Sequence, residues 1–203
     1  MRRTKEDAEL TRQAVLDAAL QVMSRRGYAA TRLEDIARAA KVTRGAIYHY
    51  FPGKPELFAA LVDEAVTVGD RAVARAIAEG GDFLVIAERV LRYTLDLLAQ
   101  DGRFRGALAL LLFSTHDSPD LAPLRRLREA QGLAQLDQIV GFFKMGIQQG
   151  SVRPDLDPDV AARAFLAYQN GLVLLWLSSP GIIDVRRHAA GLATLFVHGI
   201  ASD

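Results

Sequence analysis

Between residues 43 and 54 the chain carries Thr43, Arg44, Gly45, Tyr48, His49 and Lys54. Together these supply the groups a DNA duplex is recognised by: cations and hydroxyls for phosphate oxygens, and a forked guanidinium that can donate two parallel hydrogen bonds to guanine O6 and N7. Their spacing is helical. With Thr43 as N-cap, Ala46, Ile47, Tyr50 and Phe51 share one stripe, and Arg44, Gly45, Tyr48 and His49 share the opposite one. The first stripe packs, the second is free to touch something, and Gly45 would let the backbone come close to a duplex. A solvated face of any small helical protein would offer a similar set, so the spacing alone leaves both readings open.

The elements that must hold this face are readable on either side. Thr31 followed by Glu34 fits a capping box, which starts a helix at about Arg32 and places Leu33, Ile36, Ala37 and Ala40 on one side. Lys41 and Val42 form the turn. Pro52 and Gly53 stop the second helix, and Pro55 suits the first position of the next, leaving Lys54 at its N-terminus. A first helix over about 6–26 carries Val15, Ala18, Ala19, Val22 and Met23 inward and ends at Gly27. Residues 32–51 thus read as a helix-turn-helix whose second helix enters a major groove.

The ordered set Gly27, Thr31, Ile36, Ala37, Ala40, Val42, Thr43, Tyr48, Phe51, Lys54 and Leu57, within residues 15–58, resembles the DNA-binding domain of TetR-family transcriptional regulators. One departure is visible. The family often places its histidine directly before the phenylalanine, whereas Tyr50 stands there and His49 precedes it. The resemblance implies an all-α protein: a three-helix DNA-binding domain over 9–69 and a larger helical effector-binding and dimerisation domain over 70–203. It also implies DNA contacts by Thr31, Thr43, Arg44, Gly45, Tyr48, His49 and Lys54.

Composition agrees with that layout. Half of the 203 residues are hydrophobic, helix formers dominate, and strand-like alternation is missing. The net charge of +1 hides an asymmetry: residues 1–54 hold 11 Lys/Arg against 6 Asp/Glu, and the remainder 14 against 18. A basic head suits phosphate neutralisation, and Arg2, Arg3 and Lys5 form a short basic arm that could lie along phosphates. With no cysteine there is no disulfide framework or thiol chemistry. The charged N-terminus and the lack of any long uninterrupted apolar run lead us to expect a soluble cytoplasmic protein. Catalysis finds little support: His49, His116, His188 and His198 are scattered, and no HExxH, GxSxG or phosphate-cradling glycine loop occurs. We expect no cofactor and no metal.

Beyond Lys54, Gly and Pro punctuation sets helices at about 55–79, 82–100, 103–114, 120–149, 158–178 and 184–201. The last two are apolar over more than a narrow stripe, through Leu166, Leu172, Leu174, Leu175, Trp176, Leu177, Leu192, Leu195, Phe196 and Val197. Pairing with their mates in a homodimer would cover them, and a dimer would read a palindromic operator in double-stranded DNA. Tyr93, Leu97, Phe104, Leu108, Leu111, His116, Phe142, Tyr168, Gln169 and Trp176 form the candidate lining of a mostly apolar effector pocket, although such residues also make ordinary cores. Residues 163–177, followed by Pro180 and Asp184, resemble the C-terminal region of the AcrR branch. That implies a repressor of multidrug-efflux genes released by a small hydrophobic effector. The alternatives are a regulator of lipid or catabolic genes sensing an acyl-thioester or metabolite, and a helical ligand-binding protein or enzyme without a DNA role.

Overall fold

Apolar residues recur at helical spacing along nearly the whole chain, and Gly, Pro and Asp separate the runs, so the backbone satisfies its own hydrogen bonds locally. The computed structural model describes residues 5–114 and 118–202. Among these are nine α-helices: α1 (Lys5–Ala30), α2 (Leu33–Ala39), α3 (Arg44–Tyr50), α4 (Lys54–Ala78), α5 (Phe83–Gln100), α6 (Gly102–Ser114), α7 (Ala122–Gln148), α8 (Pro158–Ser178) and α9 (Val185–Ile200). A single 3-10 turn, Pro119–Leu121, precedes α7, and an isolated antiparallel bridge joins Val152 to Ala201. The chain divides into two compact units, one of residues 1–67 with 103–125, the other of 68–102 with 126–203.

In the first unit, α1 to α3 and the start of α4 close over one core. Val15, Leu16, Ala19, Met23, Ile36, Ile47, Leu57, Phe58 and Leu61 are almost wholly buried, each large side chain contributing about 1.5–3 kcal/mol of transfer free energy. Helix α1 is interrupted at Gly27, whose φ of 76° and ψ of 162° are not helical; a side chain there would strain the backbone. The resulting bend turns Tyr28 inward, where its ring meets Phe58 edge-on at 5.0 Å. Its hydroxyl donates to Asp120 at 2.5 Å. Arg103 at the start of α6 adds a second tie, pairing with Asp17 of α1 and with Glu64 of α4.

The second unit is organised by a chain of aromatic rings. Phe83 of α5 packs on Phe142 and Phe143 of α7, Phe143 on Phe165 of α8, and Phe165 and Tyr168 on Phe196 of α9, with centroid separations from 4.5 to 6.3 Å. Helix starts follow the carboxylates expected. Asp82 accepts from the Val85 amide at 2.9 Å, Asp157 from Asp159 at 2.9 Å, and Asp184 from Arg186 at 3.0 Å.

One expectation is corrected. Thr31 and Glu34 do not form a capping box. The N-cap of α2 is Arg32, with no side-chain cap, and the Thr31 hydroxyl turns back to donate to the Gly27 carbonyl at 2.7 Å. Among the described helices α8 is long and apolar enough, by length and composition, to cross a membrane, with 28% of its apolar window buried, and it contains no uninterrupted apolar run of that length.

Candidate DNA interface

Helix α2 and helix α3 are short, so their geometry rests on how they are ended and on the few side chains they bury. At the end of α2 the Val42 amide donates to the Ala37 carbonyl at 3.0 Å and the Lys41 amide to Arg38 at 3.2 Å, the paired bonds of a Schellman motif. The motif needs a left-handed residue after the C-cap, and Lys41 takes that role with φ 57°. Thr43 then caps α3, its hydroxyl accepting from the Ala46 amide at 3.1 Å. Ile47, fully buried, fixes the roll of α3, and Phe51 is buried just beyond the helix end.

That roll exposes Arg44, Gly45, Tyr48 and His49 together. Thr43 is exposed with them, its oxygen already serving the cap. Arg44 is held rather than loose. Its Nη2 donates to the Tyr48 hydroxyl at 2.8 Å, its Nη1 lies 2.6 Å from Glu34 Oε1, and its guanidinium stands 5.3 Å from the Tyr48 ring centre. The hydrogen bond to Tyr48, and next the Glu34 charge, raise its proton affinity further. The space beside Gly45 is open: an added Cβ would meet only the Thr43 hydroxyl oxygen, at 3.8 Å. His49 lies edge-on to Tyr50 at 5.0 Å.

Two of the proposed contacts are otherwise engaged. Thr31 is 2% exposed, with its hydroxyl committed to Gly27. Lys54 donates to the carbonyls of Tyr28, Ala29 and Thr31 at 3.0, 3.4 and 3.1 Å. An ammonium has three hydrogens, so Lys54 serves as a clasp on the segment after α1 and has no donor left for a phosphate. Arg2 and Arg3 of the basic arm lie outside the described residues. Glu34, whose spacing from Thr31 suits a cap, instead meets Arg44.

A short helix presenting a forked donor, a bare backbone position and a phenol, with the core behind it, offers the groups that major-groove reading uses. Residues 15–61 match the family described as bacterial regulatory proteins, tetR family. The HTH-type transcriptional regulator TtgR of Pseudomonas putida is 33% identical over 91% of this chain and 89% of that protein. The chain belongs to the TetR family. It is a DNA-binding transcriptional regulator and not an enzyme. The TetR-family protein described here is also 30% identical to the HTH-type transcriptional regulator AcrR of Shigella flexneri, over 93% of this chain and 88% of that protein. Its fold is similar to that of NalD, the secondary repressor of the MexAB-OprM multidrug efflux pump in Pseudomonas aeruginosa, with TM-score 0.83, 28% identity, and 98% and 100% of the two chains covered. TetR-family regulators act as dimers that bind DNA operators and respond to small-molecule effectors.

The effector candidates of this TetR-family regulator are distributed over its two units. Phe104, Leu108 and Leu111 belong to the first, Phe104 being buried and the other two half-buried. In the second unit Phe142 stacks on Phe83, and Trp176 packs beside the buried cluster of Leu95, Leu172, Val185 and Ala189, which is core packing. Tyr93 points its hydroxyl to Glu79 at 2.7 and 2.9 Å, and Leu97 is half-buried. Tyr168 donates to the Leu192 carbonyl at 2.8 Å, and Gln169 donates to Thr94 at 3.0 Å. His116 lies outside the described residues. A surface cleft of about 250 Å³ between α1 and α2 is lined by Gln21, Val22, Arg25, Arg26, Asp35, Arg38 and Ala39, and includes none of these candidates.

Proposed function

We propose that the protein is a homodimeric repressor that reads a palindromic operator with α3, is released by a small hydrophobic effector, and controls a multidrug efflux pump. Arg44 and Gly45 meet base edges, Thr43 and Tyr48 lie against phosphates, and His49 flanks them. The observation that carries this reading is the exposure of Arg44, Gly45, Tyr48 and His49 on one side of a helix whose other side is pinned by Ile47. The similarity to NalD, whose described role is efflux-pump repression, supports the choice of target gene. A regulator of this kind works in the cytoplasm, where its DNA is.

Residues 9–69 are the DNA-binding part in this reading, and residues 70–203 bind effector and dimerise. Dimerisation through α8 and α9 is supported by what those helices leave uncovered. Leu174 and Leu175 are 45% and 41% exposed and Leu195 is 67% exposed, and Gly171, Gly191 and Gly199 have nothing within 4 Å of an added Cβ. Gly171 with Leu174 and Leu175, and Gly191 with Leu195 and Gly199, recur at helical spacing, so each helix offers an apolar face that a backbone can approach closely. Effector release requires tighter effector binding in the DNA-incompetent state, and DNA must then weaken effector binding by the same factor.

The test is selection of binding sites from random duplex DNA at stated salt, with Arg44→Ala alongside. Enrichment of a palindrome by the wild type, blurred at one position per half-site in the variant, supports the reading. Salt-sensitive binding that ignores sequence in both proteins would sink it. With the operator in hand, hydrophobic compounds that release the protein identify the effector class.

A further inference from the structure

Glu34 brings a carboxylate to the very end of α3 that the proposed reading sets against DNA. It comes from the first turn of α2, caps nothing there, and lies 2.6 Å from Nη1 of Arg44. A negative charge beside a polyanion opposes binding of any DNA, so its placement asks for a compensating role. The hydrogen-bond inventory of Arg44 supplies one. Of the five N–H donors on a guanidinium, one on Nη2 goes to the Tyr48 hydroxyl, while Nη1 is ion-paired with Glu34 at 2.6 Å. By donor count the guanidinium keeps N–H groups for a contact with guanine beside both partners.

We infer that Glu34 is a specificity-determining positioning residue, which with Tyr48 holds the Arg44 fork for base reading and disfavours its use as a phosphate contact. The inference rests on the reading role proposed for Arg44. On a matched operator the three side chains stay together, and the Glu34 charge remains neutralised by the guanidinium. On unmatched DNA, Arg44 can gain a partner only by swinging to a phosphate, which leaves Glu34 unpaired beside the backbone. Discrimination then comes from both sides: a fork already fixed for guanine, and a penalty on sequence-blind binding.

The experiment measures operator and random-duplex affinity, and base preference by site selection, for the full-length wild type, Glu34→Gln, Glu34→Asp, Arg44→Ala and the Glu34→Gln/Arg44→Ala double variant at one salt concentration. Glu34→Gln is expected to tighten random-duplex binding about fivefold, the equivalent of one nearby charge in water, with little gain on the operator and a flattened preference at the Arg44 position. Glu34→Asp keeps the charge but lacks the reach, so preference flattens while random-duplex binding stays weak. In the Arg44→Ala background, Glu34→Gln leaves the preference at that position unchanged. An equal gain on both DNAs makes Glu34 a plain repulsive charge and overturns the inference, as does no change in either variant. If Arg44→Ala blurs one position and the Glu34 variants do not, only the role of Glu34 falls. If Arg44→Ala blurs none, the reading role of Arg44 falls and takes this inference with it.

Discussion

The ammonium of Lys54 stands 4.2 Å from the centre of the Tyr28 ring and donates to the same residue's carbonyl at 3.0 Å. With the added bonds to Ala29 and Thr31, Lys54 ties the first turn of α4 to the segment that feeds α2. Charged donors to backbone carbonyls are worth about 1.5–3 kcal/mol in partly buried settings. Lys54→Ala is therefore expected to lower stability by about 2 kcal/mol in denaturant unfolding. It should weaken operator binding through a loosened α2, while the salt dependence of binding keeps its slope. A slope reduced by about 1 at unchanged stability would instead make Lys54 a phosphate contact.

Tyr28 is itself a pH-dependent element. Burial, and next the hydrogen bond to Asp120, hold its phenol well above the ordinary value of 10. The folded state thus keeps the proton more tightly than the unfolded chain, so the contribution is intact below pH 10 and declines as pH rises beyond it. Tyr28→Phe should cost about 1.5–3 kcal/mol at neutral pH from the lost charge-assisted bond. Stability followed from pH 9 to 11 should fall less steeply in the variant than in the wild type. Parallel curves would remove Tyr28 from the alkaline transition.

The fold was legible in the sequence because its signals are local. Apolar spacing, Asp82, Asp157 and Asp184 as caps, and Gly and Pro as stops set the described helices to within a residue or two in most places. The exposed face of α3 was legible for the same reason: Ile47 and Phe51 of the packed stripe are buried, which leaves Arg44, Gly45, Tyr48 and His49 outside. What stayed hidden depended on contacts between segments distant in sequence. The spacing of Thr31 and Glu34 suits a capping box, but the bend at Gly27 offers Thr31 an earlier carbonyl, and Glu34 pairs with Arg44 of the next helix. Lys54 carries the charge a phosphate contact needs, but its partners lie more than twenty residues upstream. For the effector candidates, residue type does not separate core from pocket. Phe142 is explained by its ring partner in the core, whereas Tyr168 and Gln169 are polar groups with partners inside the second unit.

The turn between α2 and α3 carries a local strain that substitution can relieve. Lys41 has φ 57°, a left-handed conformation that costs a residue with a Cβ about 1–2 kcal/mol. Glycine adopts it freely but has more freedom to lose on folding, which offsets part of the gain. Lys41→Gly is expected to stabilise the protein by about 0.5–1 kcal/mol, a rise of roughly 1–4 °C in Tm for a chain of this size. An unchanged or lower Tm would mean that the Lys41 cation, sited at the C-terminal end of α2, contributes as much through the helix dipole as its backbone costs.

Gly45 separates folding from function most sharply. Its backbone needs no glycine: φ is not positive, and an added Cβ would stand 3.8 Å from the nearest side-chain atom. Inside a helix, alanine is preferred over glycine by about 0.5–1 kcal/mol, so Gly45→Ala should leave the fold intact and raise stability by that amount. If the bare backbone at Gly45 lets α3 settle into the groove, the same methyl group holds the helix off the bases, and operator affinity should fall at least tenfold while random-duplex binding changes little. The two readouts move in opposite directions, which no general damage to the domain can produce. A stabilised variant with wild-type operator affinity would show that α3 does not approach the duplex at Gly45, and the base contact would then rest on Arg44 without it.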